Sequence, residues 1–299
     1  MLIRVTERRL LLVSVSRAYT RPQQTMPPNH YDPSLALSVA QRVGEQFAAI
    51  GEVEAVALAG SRAAQLADPQ SDVDLYVYAS RIIPESLRAD VARNAQRSEI
   101  GNSFWEPGDE WVDSTTGTRV DVMFRTTSWI EDQLNRILRR HEASVGYSTC
   151  FWYNVRNSRP LFDRAGWFRT IQERANPPYP EELKRAIVAK NHPILRTNMS
   201  SYLHQIELAL QRNDAVSVNH RVAALLASYF DIVFAVNEQP HPGEKRLVYF
   251  AQALCPQLPA GMVERVGAVL SALPDRDVVR HTNTMLDGLD TFLDRTGLL

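Results

Sequence analysis

Cysteine is nearly absent: Cys150 and Cys255 are the only two in 299 residues. Two thiols cannot build a disulfide framework or a cysteine-rich zinc domain, and they suit a reducing cytosol. Lysine is almost as scarce. Of 33 basic residues only Lys184, Lys190 and Lys245 are lysines, and the rest are arginine. Neither sign of charge dominates, because 34 acids against 33 bases leave a net charge of -1. That balance argues against a strongly basic nucleic-acid coat and a strongly acidic tail, but not against a local basic patch. No apolar run approaches the roughly 18 residues of a membrane span. Hydrophobic residues make up 44% of the chain and charged residues 22%, so a globular protein with ample core is expected.

Residues 1–30 read as a flexible extension. Leu10–Val15 is too short for a signal-peptide core and suits at most a weak strand, Pro22, Pro27 and Pro28 break regular structure, and Met26 is a second candidate start. Asp32-Pro33-Ser34 is a helix-start signal, and Leu35, Val39, Val43, Phe47 and Ile50 recur at helical spacing before Gly51. Val53–Ala59 reads as a strand, Arg62–Leu66 as a short helix, Asp72–Ala79 as a second strand and Ser86–Arg97 as a helix. Strands are expected near Ser103–Glu106, Glu110–Asp113 and Thr118–Arg125, the last two joined at Thr115-Thr116-Gly117, with a helix marked by Ile130, Leu134, Ile137 and Leu138.

From Trp167 onward strand patterning nearly vanishes. Helical stripes run through Val222–Val236, Val263–Leu270 and Met285–Leu293. The expected architecture is α+β: a small mixed sheet flanked by helices over residues 31–160, then a helical bundle over 161–299. Pro177, Pro178 and Pro180 mark the best hinge candidate.

The chemistry concentrates in Leu58–Tyr78, LAGSRAAQLADPQSDVDLYVY. A strand runs into Gly60-Ser61, and the next strand opens Asp72-Val73-Asp74. Strand side chains alternate faces, so Asp72 and Asp74 point together while Val73, Leu75 and Val77 point into the core. A third carboxylate, Asp121, interrupts the polar face of Val120-Asp121-Val122-Met123-Phe124. If the two strands pair, it lies about 4.8 Å from the first two. Like charges about 4 Å apart repel by ~4 kcal/mol at an effective dielectric of 20, so such a trio needs protonation, an arginine or divalent cations. Carboxylates are hard ligands suited to Mg²⁺. Gly60 permits close backbone approach to phosphate, and the following amides with the Ser61 hydroxyl can hold it. Arg62 suits a cationic clamp or a surface ion pair.

Gly60-Ser61, the spacing of eleven to Asp72, Asp-Val-Asp and the later Val-Asp-Val strand together resemble the polymerase β-like nucleotidyltransferase superfamily. The pattern is similar to its minimal small-substrate branch, which includes aminoglycoside and lincosamide nucleotidyltransferases, and covers roughly residues 53–124. The resemblance implies two Mg²⁺ ions, an NTP such as ATP as donor, and transfer of a nucleoside monophosphate to an acceptor hydroxyl. It implies Asp72, Asp74 and Asp121 as metal ligands and catalytic residues, with Ser61 on the triphosphate. The family's usual arginine or lysine stands two positions beyond Arg62.

Asn237–Lys245 is similar to an Asn…Pro-Gly-x-Lys turn in the helical domain of nucleotidyltransferase-like proteins. Lys245 would open the next helix, where a cation is locally unfavourable, and so reads as facing a phosphate or acidic partner across a cleft or as a solvated helix-start residue. Glu106, Asp109 and Glu110 read as a solvated loop or as acceptor-binding acids, and Tyr76 and Tyr78 as sheet packing or base-stacking rings. His192, His204, His220 and His281 lack metal-ligand spacing. A thiol nucleophile at Cys150 has no evident partner.

The expected protein is therefore a cytoplasmic, non-membrane nucleotidyltransferase, monomeric or homodimeric, with Gly60, Ser61, Arg62 and Lys245 on the nucleotide. Its acceptor would be a small hydroxylated molecule, antibiotics included. Modification of a protein side chain or a tRNA end, and a non-catalytic nucleotide-binding module, are the alternatives.

Overall fold

The computed structural model describes residues 33–63, 71–103 and 106–299. The expectations for the extension up to residue 32, and for residues 64–66 as helix, lie outside these.

Helix α1 (Pro33–Ala48) leads into β1 (Val53–Leu58), the single turn α2 (Gly60–Ala63) and β2 (Val73–Ala79). Then follow α3 (Glu85–Val91), β3 (Arg97–Asn102), β4 (Gly108–Val112), β5 (Arg119–Thr126), α4 (Thr127–Leu138), α5 (Cys150–Asn157) and β6 (Arg159–Asp163). These six strands form one mixed sheet in the order β3-β4-β5-β2-β1-β6. Among these strands only β2 and β5 pair in parallel.

Alternation decides which face each strand buries. Val73, Leu75, Val77, Val120 and Val122 pack with Val39, Val43 and Phe47 of α1. On the opposite face Ala55, Ala57, Tyr76 and Tyr78 pack against Ile130 and Leu134 of α4, Trp152 of α5 and Phe168 of α6 (Trp167–Arg174). Alanines on β1 let these helices approach closely. Tyr76 and Tyr78 are therefore packing residues, with the Tyr78 ring 5.3 Å from that of Phe168.

The remaining chain is helical: α7 (Glu181–Arg196), α8 (Tyr202–Gln211), α9 (Ala215–Val236), α10 (Leu247–Leu254), α11 (Met262–Ser271) and α12 (Asp277–Arg295). Helix α9 is apolar on nearly every side, which fits a helix surrounded by others, and its side chains form a common core with Leu195, Ile206, Val266 and Leu289. Tyr179, in the proline-rich stretch before α7, packs on Trp152 with ring centroids 5.1 Å apart.

Several boundaries differ from expectation. Helix α3 stops at Val91, and Arg97 already belongs to a strand. A strand stands at Arg97–Asn102, and the one expected near 103–106 falls in part on residues 104–105, outside the described residues. Strand β6 carried no pattern: it is short, contains Pro160 and sits at the sheet edge, where proline is tolerated. Lys245 does not open a helix, because α10 begins at Leu247. Among the described residues no helix is long and apolar enough to cross a membrane.

Candidate functional site

The register of the parallel pair sets the site. Asp74 on β2 stands directly opposite Asp121 on β5. Asp121 is in turn opposite Glu110 on β4, and Glu110 opposite Glu99 on β3. Directly paired residues share a face, so four carboxylates form a row across four strands. Asp72, just before β2, adds a fifth; its side chain is 40% exposed, with Arg119 Nε 3.6 Å from Oδ1.

Electrostatics report the crowding. Burial pushes the Asp121 carboxyl up to about 6, and the charges of Asp74, Glu110 and Asp72 push the same way. Asp74 is also raised, first by burial, while Lys245 and Arg62 oppose the rise. The charge of Lys245, an exposed lysine before α10, lowers both Asp74 and Asp121.

Gly60 closes the other side of Asp74. Its φ is +60°, and a Cβ there would fall 2.6 Å from Asp74 Cγ and overlap the carboxylate. The backbone of α2 can touch Asp74 only because residue 60 has no side chain. The expectation for the Ser61 hydroxyl lies outside the described residues. Arg62 serves the loop: Nε donates to the Asp72 carbonyl at 2.9 Å, and an η nitrogen donates to the Ser71 carbonyl. It holds the chain that presents Asp72.

On the other side of Asp121 lies a cavity of about 330 Å³ bordered by Asp72, Arg97, Glu99, Glu110, Arg119 and Asp121. Arg97 pairs with Glu99 at 3.0 Å. Glu110 lies in the strand expected at 110–113, beside Asp121. Its neighbours in sequence do different work. Asp109 is buried, accepts the Gly101 amide at 2.8 Å and lies 3.6 Å from Arg88. Glu106 makes a two-pronged pair with buried Arg125 at 2.8 Å, and Arg125 stacks over Tyr76.

No ready-made cage of three or more His, Cys, Asp or Glu side chains exists among the described residues. Mg²⁺ does not require one, since it takes one or two carboxylates and fills its other positions with water and phosphate oxygens. The donor set is all hard oxygen, and its mutual repulsion is the kind a dication relieves; the aspartates fit that ion. Cys150 is unsuited to nucleophilic work, because burial pushes its thiol up to about 11.

No family model matches the sequence, and no curated protein matches it. Among solved structures, a nucleotidyltransferase-like protein from Exiguobacterium sibiricum aligns with 86% of this chain and 74% of its own, at 14% identity and a TM-score of 0.42.

Proposed function

We propose that this chain is a Mg²⁺-dependent nucleotidyltransferase that moves a nucleoside monophosphate from an NTP, ATP first among them, to a hydroxyl of a small acceptor. The observation that carries the reading is the pairing of Asp74 with Asp121 between a glycine turn on one side and a cavity on the other. In the sheet order, Gly60 lies beyond β2 toward β1, and the cavity lies over β5, β4 and β3. Donor and acceptor therefore reach the aspartates from opposite sides, as in-line displacement requires.

Asp72, Asp74 and Asp121 would hold Mg²⁺, which when bound offsets charge on the triphosphate and on the departing pyrophosphate. Gly60 admits the donor close to Asp74. Lys245 meets the phosphates from the helical side. The acceptor oxygen bonds to the α-phosphorus as the bridging oxygen leaves on pyrophosphate. The hydroxyl proton passes to a carboxylate oxygen of Asp121, which borders the cavity where the acceptor would lie. A cavity of about 330 Å³ suits a small acceptor. The net charge of -1 favours a small acceptor over long nucleic acid, whose phosphates reward a basic face.

The test is pyrophosphate release from labelled ATP with Mg²⁺, run against small hydroxylated compounds, total protein and total RNA. Release with a small-molecule pool, lost in Asp74→Asn while circular dichroism is unchanged, is the expected result. Normal turnover in Asp74→Asn overturns the mechanism. Nucleotide binding without release on any pool assigns the chain to the non-catalytic alternative.

A further inference from the structure

His241 is a buried titratable residue that the site as described does not use, and its place in the chain is informative. It sits in the turn between α9 and α10, four residues before Lys245. It is fully buried. Its backbone N–H donates to Thr149 Oγ1 at 2.7 Å. Its ring Nδ1 accepts the Gly243 N–H at 3.1 Å, which puts the ring proton on Nε2. The ring meets Tyr147 and Phe234 edge-on, each with centroids 5.0 Å away. Burial pushes its pKa down to about 3, so the imidazole is neutral and Nδ1 remains an acceptor.

Packing alone does not explain a histidine here. Phenylalanine would fill the slot between the two aromatic rings, whereas the Nε2–H of histidine finds no partner among the described residues. What the imidazole provides beyond a ring is the bond to the Gly243 amide. Gly243 has φ +106°, a conformation that favours glycine, so the chain turns sharply here. Two residues later stands Lys245, whose charge reaches Asp74 and Asp121. The platform beneath is rigid: Thr149 follows Ser148, whose N–H and hydroxyl both donate to the buried Asp231 carboxylate on α9.

We propose that His241 is the positioning residue for Lys245: by holding the Gly243 amide it fixes the turn so that the lysine faces the aspartates where the triphosphate would sit. This rests on the nucleotide reading of the site, and the experiment separates failure of one from failure of the other.

Binding of inorganic tripolyphosphate with Mg²⁺, which carries the phosphates without a base, is measured by calorimetry on the full chain together with Tm. Lys245→Met weakens binding by about tenfold or more, as expected for loss of a charged hydrogen-bond donor. His241→Phe keeps the ring packing and loses the acceptor; it weakens binding by about threefold to tenfold with Tm held or raised. His241→Asn restores an acceptor at the Nδ1 position and loses the ring, so Tm falls while affinity stays within about twofold. The double variant His241→Phe with Lys245→Met binds no more weakly than Lys245→Met alone, because the histidine acts through the lysine. Wild-type affinity in His241→Phe beside a weakened Lys245→Met overturns the positioning role. An unchanged Lys245→Met overturns the nucleotide reading of the lysine itself. If the phenylalanine variant does not fold, His241→Leu against His241→Asn supplies the same contrast.

Discussion

Neutralising Asp121 should stabilise the protein while disabling it. Asp121 is paired with Asp74 across the parallel ladder and with Glu110 across the antiparallel one. Unit charges about 5 Å apart repel by ~3 kcal/mol at an effective dielectric of 20. Partial exposure and the opposing Lys245 charge reduce the sum over both neighbours, and Asn still fills the space. A net gain of about 1–2 kcal/mol is reasonable for Asp121→Asn. For a chain of this size that raises Tm by about 2–4 °C. The assay is thermal melting at pH 8 in low salt without divalent ions, repeated in 1 M salt. Exposed charge repulsion is screened there, so the gain should shrink. Asp72→Asn is the control: Asp72 is more open and lies beside Arg119, so the change should stay within about 0.5 kcal/mol. An Asp121→Asn protein no more stable than wild type in low salt, or a gain indifferent to salt, would refute the view that the carboxylate row is held together against its own repulsion.

Gly60→Ala places a methyl group against the Asp74 carboxylate at a left-handed φ, so it should cost about 1–2 kcal/mol in backbone strain and displace Asp74. Pyrophosphate release should fall far more than Tm, and an active Gly60→Ala enzyme would contradict the close approach. A separate pH effect resides in Asp231, whose carboxyl is pushed up to about 7 by burial despite donors from Ser148. With the folded pKa above the unfolded one, the native state binds the extra proton; stability from this group is full below about pH 4 and is lost as pH rises through about 7. The ceiling is about 4 kcal/mol. Asp231→Asn should flatten that part of the stability-against-pH curve from denaturant titrations, and equal slopes in variant and wild type would exclude it.

What the sequence made legible follows from which forces act locally. Residues 72–79 and 118–125 alternate because one face of each strand must enter the core, so the orientation of Asp72, Asp74 and Asp121 could be read directly. The register that puts Asp74 opposite Asp121 could only be supposed, since pairing of the two strands depends on partners elsewhere. The strand expected at Glu110–Asp113 is present as β4, but Trp111 is its one large buried apolar side chain, too weak a period to show that Glu110 shares a face with Asp121. Strand β6 and the short α3 failed for the same reason. Arg62 shows a different limit: its charge suggests a phosphate clamp or a surface ion pair, and no charge pattern reveals its bonds to two backbone carbonyls of the neighbouring loop.

His241 marks the furthest limit, and it bears on how the lysine comes to face the acids. Nothing in Asn237–Lys245 distinguishes a buried anchor from a solvated histidine. The distinction arises from Thr149, Tyr147 and Phe234, which are distant in sequence or lie on another element. A lysine at the tip of a freely moving loop would spend most of its time in water, because an ammonium is strongly hydrated and its stem is flexible. Fixing the turn from below removes that freedom before any ligand arrives. The same logic places Arg62 under Asp72 and glycine against Asp74: on each side of the aspartates the structure sets the backbone first, and the charged groups follow from it.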